Sequence, residues 1–167
     1  YGSAAAAEEG QWTLERVFEI KKAGGNIDGL VEDVTRRNLY RKELQRMVAD
    51  GTGELDAEYM LATLPGALAI PENKIKLIIK EEVATRKRTL LVQAVSQYRQ
   101  RRLNETVISL NNLLSCNRLL PEAGAMPWNE KSELIDVFQA FAAKEESEAK
   151  RGQLRGLLGL SEDDAAQ

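Results

Sequence analysis

Residues 89–116, TLLVQAVSQYRQRRLNETVISLNNLLSC, decide the fold class of this chain. Together with the preceding residues from Glu72, they form its longest stretch of helical periodicity. Apolar side chains recur there at intervals of three, four, seven or eight, which places them along one face of an α-helix: Ile75, Ile78, Ile79, Val83, Leu90, Leu91, Ala94, Val95 and Tyr98. Neither Gly nor Pro occurs between Pro71 and Pro121. We therefore predict a long helix over 71–102 and a second helix beginning at Asn104.

Glycines, prolines and capping residues divide the rest of the chain into shorter amphipathic segments. They predict helices over about 13–24, 26–49, 56–63, 129–143 and 147–158, which gives about seven helices and no strand. We interpret 1–10 as an appended flexible linker, 11–116 as a helical segment, 117–128 as a loop and 129–167 as C-terminal helices. The predicted fold class is all-α. Helical periodicity alone does not separate stacked repeats from a bundle.

The composition excludes several kinds of chemistry. The chain has no histidine, which removes His-based catalytic triads and His-containing zinc sites. Its one cysteine, Cys116, has no partner for an intramolecular disulfide. The net charge of −3 argues against non-specific nucleic-acid binding, and no stretch reaches the roughly 18 apolar residues of a membrane span. We expect no catalytic residue, cofactor, metal or nucleic-acid ligand.

Two loop-like motifs favour structural interpretations. The stretch DGTGELD at 50–56 resembles the start of an EF-hand loop, but Leu55 and Leu61 occupy the positions that need a glycine and a bidentate carboxylate. A structural turn is favoured. The series Gly152, Gly156 and Gly159 lacks the preceding strand of a nucleotide-binding loop. It indicates close helix packing or a helix end.

Two basic clusters in the long helix suggest an alternative function. They are Arg86-Lys87-Arg88 and a second group at Arg99, Arg101 and Arg102. A solvated helix face is the simpler interpretation. In the alternative, residues 86–102 form a regulatory target helix for a calmodulin-like partner. That hypothesis requires Leu91 and Val95 to be at least partly exposed.

Several stretches together resemble a known family. They are LVQAV at 91–95, RQR at 99–101, VISLNNLLSC at 107–116, Pro127-Trp128, SELIDVFQAF at 132–141 and LRGLLGLSEDDA at 154–165. DGTGELD at 50–56 and LAIPENKIK at 68–76 fit more weakly. This combination is similar to the C-terminal stromal region of the large subunit of the translocon at the inner envelope membrane of chloroplasts. The resemblance covers most of residues 40–167.

The resemblance implies a fold, a function and partners. The fold would be an elongated helical-repeat array of HEAT type. The function would be that of a non-enzymatic scaffold of chloroplast protein import, which presents a stromal surface to transit peptides of imported preproteins and to stromal chaperones. The intact protein would lie in the inner envelope membrane through N-terminal transmembrane segments that these residues do not include. Cys116 matches a family cysteine, so the resemblance makes it a redox candidate.

The expected surface for basic, hydroxyl-rich transit peptides is acidic with apolar grooves. The acidic candidates are Glu54, Asp56, Glu58, Glu130, Glu133 and Asp136. A helical array without capping repeats also leaves apolar faces uncovered at its ends. We therefore expect the chain to associate with itself.

Overall fold

The computed structural model describes residues 12–166, so the linker predicted at 1–10 lies outside the described residues. Nine α-helices follow one another in this part of the chain: α1 (Leu14–Lys22), α2 (Ile27–Leu30), α3 (Asp33–Met47), α4 (Leu64–Ala67), α5 (Glu72–Arg99), α6 (Leu103–Leu119), α7 (Lys131–Lys144), α8 (Glu148–Leu157) and α9 (Glu162–Ala166). A π-helical turn, Tyr59–Thr63, directly precedes α4. Residues 12–166 contain no strand, which confirms the all-α class. The HEAT-type repeat stays a prediction.

The described residues form two compact units. Unit 1 comprises residues 12–46 and Asp56–Ile79, and unit 2 comprises Met47–Leu55 with residues 80–166. Helix α5 contributes its first turns to unit 1 and the remainder to unit 2. The apolar positions predicted for its core stripe from Ile75 to Val95 are all buried. The 3.6-residue period therefore located the core face of α5 correctly.

Unit 1 is organised around the buried guanidinium of Arg36, which is 6% exposed. Its Nε donates to the Val31 carbonyl at 3.0 Å, and its Nη1 donates to the carbonyls of Leu68 and Ala69 at 3.0 and 2.7 Å. Its Nη2 lies 3.3 Å from an Asp28 carboxylate oxygen. These carbonyls follow the last turns of α2 and α4, where no intrahelical donor is available. One side chain thus donates hydrogen bonds to carbonyl groups at the C-terminal ends of two helices.

The single helix predicted over 26–49 is wrong, because the chain breaks between α2 and α3. Val31 adopts an extended conformation with φ −120° and ψ 129°, buries its side chain and turns its carbonyl toward Arg36. Leu30 and Val34 would share one apolar stripe of an unbroken helix, but they are 56% and 64% exposed. The stripe therefore does not continue across the break.

The π-helical turn is fixed by two hydrogen bonds within unit 1. The Tyr40 hydroxyl donates to the Met60 carbonyl at 2.8 Å, and both side chains are fully buried. Burial raises the pKa of the Tyr40 hydroxyl, because the charged phenolate would lose its hydration in the protein interior. Asp56 accepts from the Tyr59 backbone N–H at 3.1 Å. This carboxylate thereby acts as a local cap for the turn.

Helix α5 ends at Arg99 rather than at the predicted residue 102. The Arg101 N–H donates to Tyr98 and the Arg102 N–H donates to Gln97, both at 2.9 Å. This pair of bonds is a Schellman motif, which places Arg101 in the left-handed conformation at φ +60°. A glycine usually occupies that position, so the sequence carries no ordinary stop signal there.

Helix α6 is the central element of unit 2 and packs against α7 and α8. Its apolar Leu110, Leu113 and Leu114 are buried together with several polar side chains. Three of these have partners: Thr106 donates to the Arg102 carbonyl at 2.8 Å, Ser109 donates to Gln97 at 2.7 Å, and Asn112 accepts from the Gly51 N–H at 2.8 Å. The helix runs to the buried Leu119 and so extends into the loop predicted over 117–128.

The turn at 50–56 is held by its own side chains. Asp50 accepts from the backbone N–H and the hydroxyl of Thr52 at 3.0 and 2.9 Å, and the Thr52 hydroxyl accepts from the Glu54 N–H at 3.1 Å. Gly53 has φ +70°, and a Cβ there would meet the Asn111 side-chain oxygen at 2.7 Å. These contacts account for the residue types of the turn without a bound ion.

Candidate partner-binding site

The six acidic residues predicted to form a binding surface are divided between the two units. Glu54 belongs to unit 2 and lies 3.7 Å from the ammonium of Lys150. Asp56 and Glu58 are exposed residues of unit 1. The remaining three, Glu130, Glu133 and Asp136, lie around the N-terminal end of α7 in unit 2. Of these three, Glu130 and Glu133 line one pocket and Asp136 lines another.

Glu133 is occupied by contacts within unit 2. The Trp128 indole N–H donates to one of its carboxylate oxygens at 3.1 Å, and the Arg99 guanidinium forms an ion pair with the other. A carboxylate in the first turn of α7 is also stabilised by the helix dipole. Glu133 therefore positions Trp128 and Arg99 and is not available to a partner without breaking both contacts.

Glu130 and Asp136 remain accessible. Both are exposed, and neither side chain has a hydrogen-bond or ion-pair partner among the described residues. Glu130 lines a pocket of about 330 Å³ together with Pro127 and Trp128. Asp136 lines a cleft of about 500 Å³ whose other walls come from the end of α5 and the start of α6. Each acid thus stands beside a concave surface.

The basic clusters do not form a free target helix. Leu91 and Val95 are 1% and 3% exposed. The apolar face that a calmodulin-like partner would contact is therefore already buried within this chain. Lys87, in the first cluster, is itself buried. The alternative function therefore has no contact surface in this structure.

Lys87 is a structural residue that sequence reasoning misplaced on a solvated face. Its ammonium lies 2.8 Å from a Glu122 carboxylate oxygen and donates to the Leu120 carbonyl at 2.6 Å and to the Asn117 side chain at 3.1 Å. Three acceptors match its three N–H donors. The side chain is 1% exposed. Lys87 therefore ties α5 to the segment that follows α6.

Cys116, the redox candidate, is fully buried in α6. Burial raises the pKa of its thiol to about 11, and the nearby charges of Arg86 and Lys87 offset this only in part. The thiolate, which is the reactive form, is therefore scarce at neutral pH. A redox role for Cys116 stays a prediction.

Among residues 12–166 no group of three or more Asp, Glu or Cys side chains is placed to hold a metal ion. None of the helices in the described part is both long and apolar enough to cross a lipid bilayer. The described residues thus define an all-α protein with surface clefts, two of which lie beside the exposed carboxylates of Glu130 and Asp136.

Comparison of the sequence with known proteins finds relatives of this chain. The chain is 30% identical over 161 residues to the chloroplastic protein TIC110 of Pisum sativum and 31% identical over 162 residues to that of Arabidopsis thaliana. Each alignment covers 96% of this chain but 16% of the relative, so the chain spans about one sixth of the length of the relatives. No family model and no solved structure matches. The resemblance to the translocon subunit is confirmed.

Proposed function

We propose that this chain is part of a non-enzymatic scaffold of the chloroplast protein-import machinery, where it presents a helical surface on the stromal side of the inner envelope membrane. The observation that carries the proposal is the similarity to chloroplastic TIC110 along 96% of the chain. The scaffold would receive transit peptides of imported preproteins and stromal chaperones. The absence of histidine from the sequence is consistent with a role in binding rather than in acid–base catalysis.

The surface proposed for transit peptides is the exposed pair Glu130 and Asp136 near the N-terminal end of α7. Transit peptides are rich in Arg and Ser and poor in acidic residues, so their cations complement these two carboxylates. The Trp128 ring beside Glu130 offers an amphipathic contact to the apolar face of such a peptide. Because both acids are exposed, the attraction is screened by salt. We therefore expect weak, salt-sensitive binding.

The test is a fluorescence anisotropy titration of a labelled transit peptide with the 167-residue chain. A scrambled peptide of equal composition serves as the first control, because it keeps the charge and loses the order of residues. Selective and saturable binding of the native peptide is expected. Equal binding of both peptides, or none, would contradict a receptor role for these residues.

Charge-reversal variants locate the surface. The double variant Glu130→Lys and Asp136→Lys should weaken binding about fivefold or more, since each exposed ion pair contributes up to about 1 kcal/mol. Glu146→Lys provides a matched control, because Glu146 is exposed and lies outside the proposed surface. If the control variant weakens binding as much as the double variant, net charge rather than this surface governs the interaction.

A further inference from the structure

The cleft beside Asp136 has a composition suited to a peptide segment. Its walls come from the C-terminal end of α5, the first residue of α6 and the middle of α7, and all of them belong to unit 2. Its volume is about 500 Å³. Its lining includes both apolar and polar side chains, among them Tyr98, Arg101, Leu103, Asp136, Gln139 and Ala140.

Two opposite charges in the cleft are unpaired. Arg101 and Asp136 are exposed, and neither has a hydrogen-bond or ion-pair partner among the described residues. Arg99, which also lines the cleft, is already engaged by Glu133. Leu103, an apolar residue that is 42% exposed, also lines the cleft. The cleft thus offers one free cation, one free anion and an apolar contact.

The backbone fixes Arg101 at the edge of this cleft. It occupies the left-handed position of a Schellman motif, where a non-glycine residue is disfavoured by contact of its Cβ with the backbone. Ala69 occupies the same position after α4, with φ +52°. The unfavourable conformation therefore does not by itself mark a site. At Arg101 it coincides with an unpaired guanidinium and a cleft.

We propose that this cleft binds an extended segment of a partner protein in which an acidic and a basic residue flank an apolar one. The carboxylate of the bound segment's acidic residue would accept hydrogen bonds from Arg101, because a planar guanidinium can donate two parallel hydrogen bonds. The apolar side chain would cover Leu103, Ala140 and the ring of Tyr98, and the basic side chain would meet Asp136. Transit peptides are poor in acidic residues, so this occupant differs from the ligand proposed above. Both ligands would place a cation at Asp136 and would therefore compete, but only the cleft ligand uses Arg101, so an Arg101 variant distinguishes the two proposals.

The experiment is a selection from a displayed random peptide library against the 167-residue chain, followed by anisotropy titrations of the enriched peptides. We expect enrichment of peptides that carry an acidic residue, an apolar residue and a basic residue in close succession. Arg101→Glu should weaken the enriched peptides about tenfold or more, the cost of one charge-assisted hydrogen bond. A second selection against this variant should enrich a basic residue in place of the acidic one.

Two glycine variants separate binding from folding. Arg101→Gly relieves the strain of the left-handed conformation, so it should raise the urea concentration at the midpoint of unfolding. Because it also removes the cation, it should no longer bind the enriched peptides. Ala69→Gly is the matched control in unit 1. It should also raise the midpoint of unfolding, but it should still bind the enriched peptides. The proposal is overturned if no peptide is enriched, if Arg101→Gly binds the enriched peptides as well as the unaltered chain does, or if the cleft is closed by a second copy. A second copy would appear as dimers in sedimentation that Arg101→Glu abolishes.

Discussion

The buried ammonium of Lys87 illustrates how much one polar side chain contributes to unit 2. A charge this deeply buried is tolerated because Glu122, Leu120 and Asn117 satisfy every N–H. Lys87→Met would leave the Leu120 carbonyl without its donor and the Glu122 carboxylate without its ion pair, whereas the Asn117 side-chain oxygen would keep the Glu122 backbone N–H. We expect a loss of about 3 kcal/mol in the free energy of unfolding, measured by urea denaturation. Arg88→Met, at an exposed neighbouring position, should change it by less than about 0.5 kcal/mol. Equal effects of the two variants would contradict the structural role of Lys87.

The position of Lys87 could have been inferred from spacing. Lys87 lies four residues after Val83 and seven before Ala94, on the same helical stripe as these two buried residues. The charge of the Arg86-Lys87-Arg88 cluster obscured that periodicity. Its acceptors could not have been inferred, because they lie 30 to 35 residues further along the chain in a segment without a periodic pattern. Glu133 was likewise recognisable as an acid but not as a partner of Trp128 and Arg99.

Cys116 should be protected from thiol reagents in the folded chain. Because its pKa is raised to about 11, the thiolate fraction should increase roughly tenfold for each unit that the pH rises below that value. Burial slows the reaction further, since the reagent needs a local opening. We expect alkylation by iodoacetamide at neutral pH to be at least about a hundredfold slower in the folded chain than in urea. Comparable rates in the two conditions would show that Cys116 is accessible.

At the scale of the helix, Gly152 lies inside α8 and Gly159 lies just after its C-terminal end, and the two glycines have opposite roles. A Cβ at Gly152 would meet nothing within 4 Å. Gly159 has φ +70°, and a Cβ there would lie 2.7 Å from the Cβ of Ala125. Gly152→Ala should therefore stabilise the chain by about 0.5–1 kcal/mol, because alanine loses less backbone entropy in a helix. Gly159→Ala should destabilise it by more than about 1 kcal/mol. Thermal unfolding of both variants measures the difference, and shifts of the same sign would contradict the assignment.

The helices that could be predicted are those whose apolar period runs without interruption. The helix starts predicted near residues 13 and 147 agree with α1 and α8, whose N-cap residues Thr13 and Ser147 accept from the Arg16 and Lys150 N–H groups. The break at Val31 could not be predicted, since it depends on Arg36 and its carbonyl acceptors near residue 68. The end of α5 was missed for a related reason, because Arg101 adopts a conformation for which glycine is the usual indicator.

At the scale of the whole chain, exposed apolar side chains lead to a prediction about association. In unit 1, Leu30 and Val34 are 56% and 64% exposed, and Leu77 is 53% exposed. Apolar surface left in water favours contact with another apolar surface. We expect sedimentation equilibrium to detect reversible self-association that Leu30→Ser with Val34→Ser reduces. A monomer over a wide concentration range would contradict this expectation.

We propose above that a basic import peptide docks near the N-terminal end of α7. Hydrogen–deuterium exchange of the 167-residue chain, with and without a saturating transit peptide, tests this docking. We expect slower exchange of backbone amides confined to residues 127–140, with no such change in the Glu130→Lys and Asp136→Lys double variant. Protection located elsewhere in the chain, or none at a peptide concentration that saturates binding, would contradict the claim.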